Sequence, residues 1–215
     1  MKNSKNQIKA LIFDVGGVLE LGKSPKWKKG CHRNKGVHMF MAKELGISLD
    51  QWFDSIDTTY SDSITGEISE KQSLRIISEN LKISEGKLKK LLIRAYKKNF
   101  QTNKKLYNFA FKLRKNGYKI AILSDQWYPS KNALIPKKIQ KKFDASVISC
   151  DTYGLRKPNP RIYKLILKKL KLPAKNCIFI DNQQWNINPA KSLGFRTILY
   201  KNNKQLFRQF EKILT

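Results

Sequence analysis

Residues 11–19 read Leu11-Ile12-Phe13-Asp14-Val15-Gly16-Gly17-Val18-Leu19, a short apolar run that delivers one carboxylate onto a turn with two glycines. A second apolar run, Cys177-Ile178-Phe179-Ile180, delivers Asp181 and Asn182 in the same way. Ligands of an open parallel sheet bind outside the carboxyl ends of its strands, so both carboxylates are expected at one edge. Two acids that converge there suit a hard cation such as Mg²⁺, which prefers oxygen ligands. The alternative interpretation is that each aspartate only ends a strand or caps a helix.

Strand-like runs alternate with helical patterns along the chain. The runs occur at 8–13, 118–123, 145–149, 177–180 and 196–200. This alternation is typical of a parallel sheet whose strands are joined by crossover helices. We therefore predict the α/β fold class, with a Rossmann-like parallel sheet core.

About a hundred residues between the first two strand-like runs contain no good strand and show helical periodicity. Ser48-Leu49-Asp50-Gln51 and Ser69-Glu70-Lys71-Gln72 both have the pattern of a capping box that opens a helix. A helix at about 102–116 ends at Asn116-Gly117 and returns the chain to the sheet. We predict a core made of residues 1–20 and 101–215, with an all-helical insertion at 21–100. One apolar helix face of the insertion is formed by Leu88, Leu91, Leu92, Ala95 and Tyr96.

The net charge of +28 on 215 residues favours an anionic partner and raises the possibility of nucleic-acid binding. Of the 44 basic residues, 36 are Lys and 8 are Arg, whereas readers of phosphates and bases favour the bidentate Arg fork. The lysines are spread over the whole chain, and the run Lys26-Trp27-Lys28-Lys29 is one example among several. Compositional bias therefore explains the charge better than a nucleic-acid site does, although the field would still attract a phosphorylated substrate.

The N-terminus resembles a signal peptide only briefly, because the apolar stretch from Ile8 is short and Asp14 interrupts it. No run approaches the roughly 20 apolar residues of a membrane span. We expect a soluble, cytoplasmic protein without a membrane partner.

Three widely spaced cysteines argue against a disulfide framework. Cys150 and Cys177 adjoin apolar strand-like runs, which predicts buried free thiols. Cys31, His32 and His38 form a cluster that resembles metal ligands, but without a fourth partner they make a poor structural zinc site.

Four segments stand in a fixed order along the chain: Asp14 with Gly16-Gly17, then Ser124-Asp125, then residues 154–160, and finally residues 179–182. The third reads Gly-Leu-Arg-Lys-Pro-Asn-Pro, and the fourth, Phe-Ile-Asp-Asn, is followed by Asn186. In order and spacing the chain, from Ile8 to about Tyr200, resembles the haloacid dehalogenase-like (HAD) superfamily. The resemblance is to phosphatase-like members with a small helical cap after the first motif.

This resemblance implies a role for each matched residue. Asp14 would be the nucleophile that takes a phosphoryl group and forms an aspartyl-phosphate, with Lys157 as its catalytic partner. Phosphate would be bound by Ser124, Asp125, Lys157 and Gly17. Mg²⁺ would be held by Asp14, the Gly16 carbonyl, Asp181 and Asn182, and would neutralise the repulsion between carboxylate and phosphate. Asn159 and Pro160 are a good N-cap and first helical residue, so they would fix the placement of Lys157.

Three positions depart from the pattern of the family. Gly16 stands where the phosphatases usually carry an aspartate as general acid and base, a group typically worth ~10²–10⁴-fold in rate. Asn182 replaces the second acid of the usual Asp-Asp pair, and Asp125 stands where Asn is commoner. Dehalogenation is disfavoured, because dehalogenases of this family carry a bulkier residue at the Gly16 position and a different fourth motif.

The leading hypothesis is a Mg²⁺-dependent phosphohydrolase that acts on a small phosphorylated metabolite under a helical cap. The first alternative, supported by the three departures, is a catalytically weak or inactive HAD-like protein that binds a phosphorylated ligand or a partner. The second alternative is a phosphatase or binder of nucleic-acid ends, supported by the charge of +28. The identity of the substrate and the oligomeric state stay open at this point.

Overall fold

The computed structural model describes residues 7–23 and 35–214. Its strands are β1 (Ala10–Phe13), β2 (Glu20–Gly22), β3 (Phe100–Thr102), β4 (Lys119–Ser124), β5 (Ala145–Ile148), β6 (Cys177–Asp181) and β7 (Arg196–Leu199). Its helices are α1 (Lys35–Leu45), α2 (Leu49–Thr65), α3 (Glu70–Asn80), α4 (Glu85–Asn99), α5 (Lys104–Lys115), α6 (Tyr128–Leu134), α7 (Lys137–Gln140), α8 (Pro160–Leu170), α9 (Gln184–Ser192) and α10 (Asn203–Leu214).

Strand β1 lies at the centre of a five-stranded parallel sheet with the order β5-β4-β1-β6-β7. In the register of this sheet, Ile12 lies opposite Ala121 of β4 and Phe179 of β6. Every residue of β1 is fully buried, as expected for a central parallel strand that is covered on both faces. The predicted α/β class with a Rossmann-like parallel sheet is confirmed.

Successive residues of β1 point to opposite faces of the sheet and enter two different hydrophobic clusters. Leu11 and Phe13 join the cluster that includes residues of α1–α5 and α10. Ala10 and Ile12 join the cluster formed with α8 and α9. The sheet is therefore the middle layer between two layers of helices.

Helix α8 begins at the predicted position, directly after the segment that carries Lys157. The side chain of Asn159 accepts a hydrogen bond from the Arg161 N–H at 3.0 Å, and Pro160 is the first helical residue. Ile162, Ile166 and Leu170 are buried against the sheet. The N-cap and the apolar face together hold the start of the helix, and with it the preceding loop, against the core.

Helices α1–α4 lie between β2 and β3, and we call them the cap helices. The predicted capping boxes at Ser48 and Ser69 are both present at the starts of α2 and α3. The predicted apolar face of α4 is buried. The sequence did not reveal that β2 and β3 pair with each other as an antiparallel ribbon, Glu20 opposite Thr102, at the base of the cap helices. The assignment of residues 21–100 to a separate domain stays a prediction.

One end of α2 contacts the core backbone directly. Gly66 closes the helix at a φ of 72°, and a Cβ at that position would stand 2.1 Å from the carbonyl oxygen of Thr152. Beside it, the Gly154 N–H donates to the Thr65 carbonyl at 2.9 Å. The cap helices are therefore joined to the core by backbone contacts here, in addition to side-chain packing.

The two cysteines in the described ranges, Cys150 and Cys177, are free and buried, as predicted. Burial raises the pKa of each thiol to about 12. His38 is buried, and its Nδ1 accepts a hydrogen bond from the Trp52 indole at 2.8 Å. Cys31, His32 and the lysine run that contains Trp27 lie outside the described residues. Within residues 7–23 and 35–214, no helix is long and apolar enough to cross a membrane.

Candidate active site

Three adjacent parallel strands bring their carboxyl ends to one edge of the sheet. Asp14 follows β1, Ser124 ends β4 and Asp181 ends β6. The backbone N–H of Asp14 donates to the Ile180 carbonyl at 2.9 Å, so the ladder between β1 and β6 continues up to the carboxylate itself. The sheet therefore fixes the positions of these three side chains.

The Asp14 carboxylate is bound through one of its two oxygens. Oδ1 accepts hydrogen bonds from the Ser124 hydroxyl at 2.8 Å and from Lys157 Nζ at 3.0 Å. Oδ2 accepts no hydrogen bond from any residue in the described ranges. Burial raises the pKa of Asp14 to about 6, with Lys157 opposing the rise and Asp181 adding to it. One oxygen is thus positioned by the protein and the other is left for chemistry.

Lys157 connects the carboxylates that follow β1 and end β6. Its Nζ also donates to Asp181 Oδ2 at 2.6 Å, and its side chain is only 2% exposed. Burial by itself lowers the pKa of this ammonium group, but the attraction of Asp14 and Asp181 outweighs it and raises the pKa above its usual value. Lys157 is therefore held as a fixed, buried cation between two carboxylates.

Asp125 fixes the backbone of the loop that carries Lys157. Its Oδ1 accepts a hydrogen bond from the Lys157 backbone N–H at 3.0 Å. Burial raises the pKa of this carboxyl, although Lys157 opposes the rise. Asp125 thus lies beside Ser124 at the site, but one of its oxygens serves the protein backbone.

Both oxygens of Asp181 are occupied by protein donors. Oδ1 accepts the Gln183 N–H at 2.7 Å, and Oδ2 accepts Asn186 Nδ2 at 3.1 Å in addition to Lys157. The backbone of Asn186 is itself anchored, because its carbonyl oxygen accepts a hydrogen bond from the Tyr163 hydroxyl at 2.9 Å. Sequence reasoning noted Asn186 after the fourth motif but did not assign it to the site.

The turn after Asp14 is built around Gly17. This residue has a φ of 82°, which favours glycine, and its N–H donates to the Glu20 carbonyl at 2.7 Å. Gly16 does not have a positive φ, and a Cβ there would meet nothing within 4 Å. Gly17 is therefore required by the turn, whereas Gly16 leaves room for a side chain that the protein does not have.

The donors at this edge fit a magnesium ion. Both polar atoms of the Asn182 side chain are buried and find no hydrogen-bond partner in the described part of the chain, so the amide oxygen is available as a ligand. The Asp14 carboxylate and backbone carbonyls supply the oxygen chemistry that Mg²⁺ prefers. No group of three or more His, Cys, Asp or Glu suited to a metal occurs among the residues described. The donor set therefore combines carboxylate, amide and backbone oxygens.

A cavity of about 650 Å³ opens above Asp14, between the sheet edge and the cap helices. Among the sequence-predicted site residues, it is lined by Asp14, Gly16, Gly17, Asp125, Lys157 and Asn182. Ser124 and Asp181 are fully buried behind them. The structure thus brings together at one place the residues predicted from four separate segments.

Three further residues of the cavity were missed from the sequence. The Gln126 side chain donates to the Ser124 hydroxyl oxygen at 3.0 Å, which leaves the hydroxyl hydrogen for Asp14. Trp127 and Trp185 also line the cavity. The available signal was their place in the sequence, since each follows a predicted site residue by no more than three positions.

Comparison with known proteins agrees with this fold. A sequence model of the haloacid dehalogenase-like hydrolase family matches residues 8–194. The chain therefore belongs to the haloacid dehalogenase-like hydrolase family, which confirms the resemblance predicted from the sequence. Phosphatases and dehalogenases both occur among its relatives.

Two curated relatives and one solved structure illustrate the match. Bifunctional epoxide hydrolase 2 of Sus scrofa is 25% identical over 96% of this chain and 39% of its own length. A glyceraldehyde 3-phosphate phosphatase of Pyrococcus abyssi is 29% identical over 43% of this chain and 40% of its own. A HAD family enzyme from Bacteroides thetaiotaomicron, crystallised with magnesium and inorganic phosphate, superposes with a TM-score of 0.68 at 21% identity, covering 94% of this chain and 100% of that one. The chain spans well under half the length of these two curated relatives.

Proposed function

We propose that the protein is a Mg²⁺-dependent phosphohydrolase that acts on a small phosphorylated metabolite through an aspartyl-phosphate intermediate. The observation that carries this proposal is the binding of Asp14, whose Oδ1 is held by Ser124 and Lys157 while Oδ2 has no partner in the described chain. The hydrogen bonds to Oδ1 orient the carboxylate for attack and leave Oδ2 available as the nucleophile. The solved neighbour that was crystallised with magnesium and phosphate supports the same choice.

The reaction would proceed in two displacements at phosphorus. In the first, Asp14 Oδ2 forms a bond to phosphorus while the bond from phosphorus to the leaving oxygen breaks. The leaving group departs as an anion with the electron pair and takes a proton from water. In the second, water attacks the aspartyl-phosphate, inorganic phosphate leaves and the Asp14 carboxylate is restored. Splitting the transfer in this way replaces one difficult step with two easier ones.

Ser124 and Lys157 hydrogen-bond to Asp14, and we expect both to bind the phosphoryl group as well. The Lys157 ammonium is fixed 3.0 Å from the attacking carboxylate, so it also lies close to the charge that develops on the transferred oxygens. The Ser124 hydroxyl, oriented by Gln126, can exchange its bond to Asp14 for one to a phosphate oxygen. Asp181 holds the lysine in place and, through Asn186, is itself held.

We propose Asp14, the Gly16 carbonyl, Asp181 and Asn182 as the ligands of Mg²⁺. The ion, when bound, would neutralise the repulsion between the incoming phosphate and the Asp14 carboxylate. Asn182 contributes an amide oxygen that has no other partner among the described residues, whereas both Asp181 oxygens already accept hydrogen bonds. The neutral amide at position 182 makes this a weaker ligand set than one with a second carboxylate.

The test is the release of inorganic phosphate from acetyl phosphate and from a panel of sugar phosphates, with Mg²⁺ and with EDTA. Asp14→Asn should abolish turnover and leave the circular dichroism spectrum unchanged. Asp54→Asn, which removes an exposed carboxylate on α2, should match the wild type. Stopping the wild-type reaction in acid should give a protein heavier by one phosphoryl group, and Asp14→Asn should not. Near wild-type turnover by Asp14→Asn would exclude the covalent mechanism.

A catalytically weak phosphate-binding protein is the second candidate. The observation that favours it is the empty space at Gly16, where no side chain can protonate a leaving group. A phosphate-binding protein of this kind would bind inorganic phosphate in calorimetry but would release none from acetyl phosphate. Acetyl phosphate is the strictest test, because its leaving group, acetate, does not need to be protonated. Turnover of acetyl phosphate would exclude it.

A further inference from the structure

The loop that begins at Ser124 leads directly into an aromatic wall of the cavity. Three residues after Ser124, Trp127 donates its indole N–H to the Tyr96 hydroxyl of α4 at 2.6 Å. The Tyr60 ring of α2 packs against Trp127 with centroids 5.1 Å apart. Tyr60, Tyr96 and Trp127 all line the cavity, as do Phe100, Ile64 and Leu134. The wall beside the phosphate position is therefore aromatic and aliphatic, and both the core and the cap helices contribute to it.

Trp185 stands at the same cavity but is not packed away. It lies in the first turn of α9, three residues after Asn182, and its side chain is 62% exposed. A large exposed aromatic side chain on the rim of an active-site cavity has one apolar face to offer to a ligand. Trp127, which is 1% exposed, offers no such face and acts as fixed wall.

The charges of the cavity are concentrated at its phosphate end. Among the described lining residues, Lys157 is the only cation, and Asp14 and Asp125 are the only anions. The remaining lining residues that the structure describes are glycines, amides, a serine, two tyrosines and apolar side chains. The chain as a whole has a net charge of +28, but the described wall of the cavity has charged side chains only where a phosphoryl group would bind. The described surroundings of the rest of the substrate are uncharged.

The absence of a side chain at Gly16 is a second, independent indication of the substrate class. The protein has no carboxyl group at this position to protonate the departing oxygen, and a Cβ there would meet nothing within 4 Å. General acid catalysis matters most when the leaving group is a basic alkoxide. A leaving group that is stable as an anion does not need the missing acid.

We propose that the substrate is the phosphate monoester of an aromatic hydroxyl compound, with its ring placed against Trp185 and the half-buried Phe100. This proposal rests on the proposed phosphohydrolase activity and names its substrate class. Asp14 Oδ2 forms the bond to phosphorus, the bond from phosphorus to the aryl oxygen breaks, and the phenolate leaves with the electron pair. The phenolate then takes a proton from water, so the protein supplies none.

A matched pair of substrates separates ring recognition from leaving-group chemistry. Phenyl phosphate and hexafluoroisopropyl phosphate release alcohols of similar acidity, but only phenol has a ring. With Mg²⁺ and the full chain, kcat/KM should be higher for phenyl phosphate by roughly tenfold, the scale of one or two stacked aromatic contacts. The advantage should increase for 2-naphthyl phosphate, which has more ring surface.

Variants of Trp185 test whether this residue, at the rim of the cavity, causes the preference for phenyl phosphate. Trp185→Ala should reduce the ratio of the two kcat/KM values towards one, and Trp185→Phe should keep most of it. Tyr153→Ala is the matched control, because Tyr153 is 81% exposed and does not line the cavity, so its removal should leave the ratio as it is.

Three results would overturn the proposal in distinguishable ways. A ratio near one in the wild type, with both esters hydrolysed, would remove ring recognition and leave the phosphohydrolase intact. A preference for decyl phosphate over phenyl phosphate would make the wall a site for aliphatic chains. If none of phenyl phosphate, hexafluoroisopropyl phosphate and acetyl phosphate were hydrolysed in the presence of Mg²⁺, the proposed activity would be excluded together with the substrate class.

Discussion

Lys157 and Asp14 are 143 residues apart in the sequence, and their charged groups lie 3.0 Å apart in the folded chain. The same ammonium group is 2.6 Å from Asp181, so one cation balances two buried carboxylates. A buried charge that loses its partner is far more costly than an exposed one. The catalytic role proposed for Lys157 is therefore combined with a structural one.

Replacing this lysine should destabilise the protein as well as inactivate it. Lys157→Gln leaves Asp14 and Asp181 buried without a cation, and we expect a loss of about 3–5 kcal/mol in the free energy of unfolding. Urea denaturation measures this loss. Lys164→Gln on the exposed face of α8 is the control and should stay within about 0.5 kcal/mol of the wild type. Full stability of Lys157→Gln would mean that the carboxylates do not depend on this lysine.

Asn182→Asp should strengthen Mg²⁺ binding. The side chain at this position is buried and without a partner in the described chain, and a carboxylate is a better magnesium ligand than an amide. The Mg²⁺ concentration for half-maximal activity should fall, and calorimetry with Mg²⁺ alone should show tighter binding. Asn188→Asp adds the same charge on the exposed side of α9 and should change neither. An unchanged Mg²⁺ requirement in Asn182→Asp would mean that residue 182 is not a ligand.

The absence of a carboxyl group at position 16 should make the rate depend on the leaving group. Across a series of phosphate esters, kcat/KM should fall steeply as the pKa of the departing alcohol rises. Gly16→Asp should flatten this dependence, since the position accepts a Cβ without a clash or a positive φ. Gly86→Asp, an equivalent change on α4 with no neighbour within 4 Å, should not. A flat dependence in the wild type would show that another group supplies the proton, and Asp125, whose pKa is raised by burial, would be the first to test.

Gly66→Ala should disturb the contact between the cap helices and the core. The new methyl group would stand 2.1 Å from the Thr152 carbonyl oxygen, and backbone on both sides resists the shift. Gly46→Ala is the matched control, because its φ of 69° imposes the same left-handed strain of about 1–2 kcal/mol without any neighbour within 4 Å. Gly66→Ala should lose more stability than this control and should also raise KM. Equal effects in the two variants would mean that the close approach is not important.

His38 should make the protein sensitive to acid. Burial lowers the pKa of this imidazole to about 4, below the value of about 6.5 expected in the unfolded chain. The unfolded state therefore binds more protons between these values, and stability falls as the pH drops from about 6.5 to 4, by up to about 1.4 kcal/mol per pH unit.

The measurement compares urea unfolding of the wild type and His38→Gln across this pH range. Glu20, whose pKa is raised to about 7 by burial, acts in the opposite direction in both proteins, so only the difference between them reports on His38. The variant should lose stability less steeply with acid. Parallel pH profiles would contradict a buried neutral imidazole.

The sheet and the clustering of the site were predictable because they depend on local patterns. Short apolar runs ending in Asp14, Ser124 or Asp181 specify strands and place polar groups at their carboxyl ends, and a parallel sheet then brings these ends together. Residue patterns also located the N-caps Ser48, Ser69 and Asn159, since each acts within one turn of its own helix.

The contacts that shape the cavity could not be predicted from such patterns. The hydrogen bond between Trp127 and Tyr96 and the approach of Gly66 to Thr152 join segments that are distant in sequence, and no periodicity relates them. The ribbon of β2 and β3 has strands of three residues each, too short to show an alternation. The depth at which Lys157 is buried also depends on the whole fold and not on its neighbours in the chain.

The central position of β1 has a consequence for synthesis on the ribosome. This apolar strand is made first, but its two neighbours in the sheet, β4 and β6, are completed only at residues 124 and 181. Until residue 124 has been made, the nascent chain therefore carries β1 without either neighbour in the sheet, and an unpaired hydrophobic strand is a site for chaperone binding or aggregation. The intervening helices α1–α4 are complete before β4 is made, and they pack against one another, so they can form earlier. A ribosome stalled before β6 emerges should accordingly hold a chain in which the cap helices are structured and Asp14 has not yet reached its place.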